Sequence, residues 1–256
     1  QAATQLPTAT VTPSGPSDQF TDEQGVTMLL VPAGEFQMGV SADTAVEQCK
    51  KLCVTCDCGR SAFVNAEPVH QVYLDDFYLD RTEVTNAQYA ACVQSGGCTP
   101  PAESTSATRS SYYGDPDFDN YPVIHVDWNQ AEAFCRWRGG DLPTEAQWEK
   151  AARGEDGRLY PWGDTFDGTK ANFCDANCTY KWALKDWNDG YADTAPVGSY
   201  LAGASPYGML DMAGNVWEWV KDWYLETFYT STPLDNPIGP DSGTTRSLRG
   251  GSWSDI

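Results

Sequence analysis

The chain has 256 residues, enough for one large domain with its own core, and 36 Asp and Glu against 16 Lys and Arg leave a net charge of −20. That balance argues against a nucleic-acid backbone or an anionic membrane surface as partner, and no apolar run reaches the ~18 residues of a membrane span. An apolar share of 41%, with 10 Trp and 13 Tyr, excludes wholesale disorder and implies a core of flat rings held by loops.

Residues 1–25 read as an arm or linker. The stretch QAATQLPTATVTPSGPSDQ is rich in Thr, Pro and Ser and nearly free of apolar side chains. It lacks a charged start followed by an apolar stretch, which fits a mature secreted or surface-tethered protein whose signal peptide is gone. Such an arm is expected to dock on a neighbouring copy, by strand addition or in a groove, and so to make a homo-oligomer or filament.

The globular domain is expected over residues 26–256. VTMLLVPAG and GEFQMGV read as two short strands around a Pro-Ala-Gly-Glu turn. HQVYLDDFYLDRTEV alternates through Val72, Leu74, Phe77 and Leu79, a further strand or hairpin. Three helix starts follow, at Thr85-x-x-Gln88, Asp127-x-x-Gln130 and Thr144-x-x-Gln147, each placing a capping side chain three residues before a Gln that reaches back. Gly139-Gly140 and Gly154 stop the second and third. Beyond them the chain reads mostly as loop, with short strands expected at APVGSY, NVWEWV and RSLRGGSW.

The nine cysteines cluster locally. Cys49, Cys53, Cys56 and Cys58 lie together, Cys92 and Cys98 flank a Gly-Gly turn, Cys174 and Cys178 flank Asp-Ala-Asn, and Cys135 is alone. Local pairs in an acidic chain read as disulfides of an oxidising compartment. For the four-cysteine cluster the pairing stays open, and zinc or a redox pair are the alternatives to two disulfides.

The segments MLLVPAGEFQMG, DFYLDRTEVTNAQYAACV, YPVIHVDWNQAEAFCRWRGGDLPTEAQWEKAARG, YPWGD, DTAPVGSY, YGMLDMAGNVWEWVKDWY and RSLRGGSW follow one another in the chain. In sequence and order they resemble the sulfatase-modifying-factor domain of formylglycine-generating enzymes, from about Val26 to the end. The resemblance implies an α+β, loop-rich variant of the C-type-lectin fold, low in regular structure and bound to calcium. The same scaffold resembles ligand-displaying variable proteins, so fold alone leaves function open.

In that family an oxidase uses two cysteines, Cu(I) and oxygen to convert a sulfatase cysteine to formylglycine, and thiolates suit soft Cu(I). The resemblance places those cysteines beyond the Gly-Gly-Ser-Trp stretch, past Ile256. No catalytic residue carries over, and copper enters only if a segment beyond the given chain supplies the pair. The family also pairs the helix cysteine that matches Cys135 with one near its C-terminus. The expectation is therefore a domain lacking its C-terminal strands.

The resemblance assigns two calcium sites to this chain. One takes Asn172, Asp189 and the carbonyls of Phe173 and Tyr191, and the other takes Asp211, Glu218 and the carbonyls of Gly214 and Val216. Both sets are hard oxygens of the kind calcium binds; the alternative is that these acids cap turns or face water. His70 and His125 lie in strand-like segments with no ligand spacing and read as structural. Trp217 and Trp219 are placed on one side of a strand, as core more readily than as a glycan platform. No GxSxG, P-loop or GxGxxG is present.

The expected protein is non-catalytic, extracellular and calcium-binding, and it binds a peptide or glycan ligand or assembles with itself. A copper oxidase and a lectin-like display protein are the alternatives.

Overall fold

The computed structural model describes residues 18–53 and 56–255. Most of the expected arm therefore lies outside the described residues. Its last part does not: β1 (Gln19–Thr21) pairs antiparallel with β2 (Thr27–Val31), Phe20 opposite Met28.

The Pro-Ala-Gly-Glu turn separates β2 from β3 (Gly34–Met38), as read, but the two strands enter different sheets. The stretch after His70 behaves the same way. It is neither one strand nor a hairpin: β4 (His70–Leu74) pairs with β3, Phe36 opposite Val72, whereas β5 (Phe77–Asp80) pairs with β2, Leu29 opposite Leu79. Asp75 and Asp76 make the break, and the Asp75 N–H donates to Asn236 Oδ1 at 2.9 Å rather than to a ladder. The third sheet is β6 (Glu218–Trp223) with β7 (Arg246–Arg249), irregular between Trp219 and Trp223.

Three helices begin where the capping pairs place them. α2 (Asn86–Gln94), α3 (Trp128–Trp137) and α4 (Glu145–Arg153) each carry the complete reciprocal box, as in Gln88 N to Thr85 Oγ1 at 3.2 Å and Thr85 N to Gln88 Oε1 at 2.9 Å. Sequence reasoning missed the helix Ala42–Leu52, capped by Ser41 on the Thr44 N–H at 3.1 Å. In chain order it precedes the other three and is α1. Ala42, Val46, Cys49 and Leu52 do fall on one helix face, but only Ala42 is buried, and the reading of this stretch went to its cysteines instead.

α4 packs among the three sheets. Trp148, Ala151 and Ala152 join Leu29, Val31, Met209, Met212 and Val220 in one cluster, and Ala146 joins Phe36, Met38, Val72, Leu74 and Tyr229 in another. Its polar residues are buried too. Lys150, with no exposed surface, donates to the carbonyls of Pro32 at 2.8 Å and Gly34 at 2.9 Å, and Glu149 Oε1 accepts from the Gly39 N–H at 2.7 Å. The Lys150 bonds fasten the β2–β3 connection to the helix, and the Glu149 bond fastens the chain just after β3.

Four disulfides are formed: Cys49–Cys58, Cys53–Cys56, Cys92–Cys98 and Cys174–Cys178. The first two decide the open pairing in favour of nested bridges over zinc.

Two other expectations are corrected. Residues 195–200 (APVGSY) form turn and loop, not a strand, because side chains take their N–H groups: Asn215 Oδ1 accepts from Ala195 at 2.9 Å and Asp211 Oδ2 accepts from Gly198. His125 lies outside any strand, in the left-handed region at φ 60°. His70 does sit on β4, its Nδ1 2.8 Å from the Pro68 carbonyl.

Candidate metal centre in the loop half

The loops between α4 and β6 bury a dense set of polar side chains. Asn172, Asp175, Asp193, Thr194, Asp211 and Asn215 are each at most 5% exposed. At their centre Asn215 ties its own loop to the Glu83, Asn172 and Ala195 segments. Its Nδ2 donates to Glu83 Oε1 at 2.8 Å, its Oδ1 accepts from Asn172 Nδ2 at 3.0 Å, and its backbone N–H donates to the Asn172 carbonyl at 2.8 Å. Asp211 and Asn215 hold left-handed φ of 58° and 59°, a conformation that Asn and Asp tolerate better than most side chains. Gly214 has no such latitude: a Cβ there would stand 2.1 Å from the Asn172 carbonyl oxygen. The two expected calcium loops therefore lie back to back.

At the first, the structure brings Phe173, Asp189 and Tyr191 together. Asp189 accepts from the Phe173 N–H at 3.2 Å through Oδ2 and from the Tyr191 N–H at 2.8 Å through Oδ1. Burial pushes the Asp189 carboxyl up to about 6, and neighbouring Asp175 adds to the rise. Asn172 Oδ1 is buried with no hydrogen-bond partner.

At the second, a Cβ added to Gly250 would lie 3.6 Å from the Val216 carbonyl and 3.9 Å from Glu218 Oε1, so these two oxygens share one wall. Glu218 Oε2 accepts from Trp148 Nε1 at 2.9 Å. Burial pushes its carboxyl up to about 7, with Asp211 and Asp80 contributing. Burial likewise raises Asp211. Glu83, from the loop before α2, completes the group and was missed from sequence: burial raises it strongly, the charges of Asp211 and Glu218 raise it further, and its Oε2 is buried without a partner. Glu83 lies 132 residues from Asn215 along the chain, so no local spacing could have flagged it.

Asp193 nearby has Arg109 Nη1 at 3.4 Å, but among the described residues no Lys or Arg forms a salt bridge with Glu83, Asp189, Asp211 or Glu218. Buried carboxylates without cations are costly, and a divalent ion removes the cost. Among the described residues no three His, Cys, Asp or Glu side chains converge as a metal cluster. The donors on offer are carbonyl and amide oxygens alongside single carboxylates, a hard-oxygen mixture that fits calcium rather than a transition metal.

The expected tryptophan pair is split. Trp219 donates from Nε1 to the Val126 carbonyl at 3.0 Å, whereas Trp217 precedes the strand and is 49% exposed, so it is not core. A cavity of about 480 Å³ lies between β5 and α3, lined by Phe77, Leu79, Phe134, Cys135, Met212 and Trp219. Cys135 is the free cysteine among the described residues, and burial, reinforced by Asp80, pushes its thiol up to about 12. It is a poor nucleophile.

Residues 14–256 match the family described as the sulfatase-modifying factor enzyme 1-like domain. The chain belongs to this family. Among its relatives is a formylglycine-generating enzyme of Streptomyces coelicolor, 37% identical over 232 residues, spanning 73% of this chain and 70% of that protein. PvdO from Pseudomonas aeruginosa has the same fold at a TM-score of 0.69 and 24% identity, covering 95% of this chain and 88% of that one. So does variable protein 1 of Treponema denticola, at 0.63 and 24%, covering 93% and 88%. The expected α+β sulfatase-modifying-factor architecture is thus established, and proteins with different names carry it.

Proposed function

We propose that this domain is a calcium-organised, disulfide-stapled binding module that acts outside the cytoplasm and has no catalysis of its own. The observation carrying the proposal is the buried oxygen cluster around Asn215, with orphaned Asn172 Oδ1 and Glu83 Oε2 and no salt-bridging cation at its carboxylates. Asn172, Asp189 and the Phe173 and Tyr191 carbonyls would hold one ion. Asp211, Glu218 and the Gly214 and Val216 carbonyls, with Glu83 beside them, would hold the other. Bound calcium supplies positive charge and fixes the loops, while the chain's own residues present the surface.

Eight cysteines are in disulfides and Cys135 is inert, so the described residues offer no thiol pair of the kind Cu(I) takes. The four bridges suit an oxidising compartment, and no described helix is long and apolar enough to cross a membrane. The exposed stack of Tyr180 on Trp182, centroids 4.7 Å apart, is a surface for a peptide or glycan ligand. Self-association through residues 1–20 is the other mode of action.

A copper-dependent formylglycine-generating oxidase is the second reading, favoured by the name of the Streptomyces relative. Calorimetric titration of chelator-treated protein is expected to show one or two calcium sites and a raised melting temperature. A cysteine peptide incubated with this polypeptide, copper and oxygen is expected to stay unoxidised. Copper-dependent oxidation of that peptide would overturn the non-catalytic reading.

A further inference from the structure

We propose that Asp175, in the loop closed by the Cys174–Cys178 disulfide, supplies a second carboxylate to the first calcium site, beside Asp189. The proposal rests on the calcium reading. Asp175 is a fully buried acid. Its Oδ1 accepts from the Asn177 N–H at 2.7 Å and from Asn177 Nδ2 at 3.1 Å, and its Oδ2 accepts from the Asp189 N–H. Asp189 in turn holds the N–H groups of Phe173 and Tyr191, so both carboxylates brace the same crossing of two loop segments.

No cation serves them. Lys185 is the nearby candidate, yet its Nζ turns to backbone oxygens, to Cys178 at 2.6 Å and to Asp175 and Ala176 at 3.5 Å each. Apart from N–H donors, the two carboxyls meet only each other, and a divalent ion between them would offset the cost of desolvating two acids side by side. An independent pointer is Asn172, three residues before Asp175: it is 1% exposed, its Nδ2 is bonded to the Asp193 carbonyl at 3.0 Å, and its Oδ1 has no partner. An amide oxygen and two carboxylates meet calcium's demand for hard ligands, and the added charge raises affinity.

The disulfide fixes the reach of this acid. The Cys174 N–H donates to the Asp255 carbonyl at 2.8 Å and the Leu184 N–H to the Cys174 carbonyl at 2.9 Å, so the stapled loop is anchored on both sides. If Asp175 served only to shape its own turn, its charge would be immaterial to calcium.

The test is calcium titration of the chelator-treated protein against Asp175→Asn, Asp175→Glu and, as a charge control, exposed Asp186→Asn. Asp175→Asn is expected to weaken one class of sites about tenfold or more and leave the other unchanged, with Asp175→Glu within about threefold of wild type and Asp186→Asn indistinguishable from it. The melting temperature supplies a second readout: calcium raises it less in Asp175→Asn than in the wild type. Wild-type affinity in Asp175→Asn, or equal loss in the Asn and Glu variants, overturns the assignment. A wild-type protein that binds no calcium removes the calcium reading itself.

Discussion

The two halves of this domain are held by different forces. From β2 to α4 the buried clusters are built on Val31, Phe36, Val72, Leu74, Phe134 and Trp148, and apolar contact does most of the work, with Glu149 and Lys150 buried on bonded partners. Between residues 160 and 217 the buried set includes Asn172, Asp175, Asp193, Asp211 and Asn215, joined by hydrogen bonds to backbone. Apart from Glu83, which faces the loop half, the first half buries its acids against cations or backbone N–H groups. The second concentrates carboxylates in a low-dielectric interior, so its stability depends on an ion, on protons, or on both.

The largest effect that would sharpen this contrast is Phe36→Ala. Removing a ring that is 2% exposed should cost about 3–5 kcal/mol in denaturant unfolding, equally with and without calcium. Stripping calcium comes next. An ion at a hundredfold excess over its Kd contributes about 2.7 kcal/mol, so a chelator should lower the melting temperature and speed amide exchange over residues 160–217 while β3 and β4 stay protected. Uniform loss of protection would break the comparison.

A smaller effect is pH dependence at the seam. Burial, with Glu145 contributing, pushes the Asp222 carboxyl from 3.8 up to about 7, although its Oδ2 accepts the Glu145 N–H at 2.8 Å. The folded state then binds more protons than the unfolded one between those values. The contribution is fully present below about pH 4 and is lost as pH rises through about 7, with a slope of at most about 1.4 kcal/mol per unit. Asp222→Asn should flatten that fall in a pH series of melts. Smallest is Thr85→Ala, which removes one cap and should cost about 1 kcal/mol, independent of calcium and pH.

What could be read in advance followed from distance along the chain. Thr85 and Gln88 are three residues apart, and the disulfide partners at most nine, so their spacing already contained the interaction. The site was legible as far as its two loops run: Phe173, Asp189 and Tyr191 do meet, and Val216 lies with Glu218. Glu83 was not legible, and neither was the displacement of APVGSY from strand to loop, because both depend on side chains from remote segments. Trp217 was misplaced for a related reason: alternation predicts a face, but the strand begins one residue later, at Glu218.

Composition and local pattern alone determined the acidic character, the aromatic core, three helix starts and the cysteine partners at two of the four bridges, and the order of the longer motifs carried the resemblance that implied a loop-rich fold. Only the tertiary structure decided that consecutive strands part into different sheets and that acids far apart in sequence share one buried space. The physical reason is that caps and short disulfide loops are settled by bonds between near neighbours. Strand partners and the burial of charge are settled by which surfaces meet when the whole chain closes.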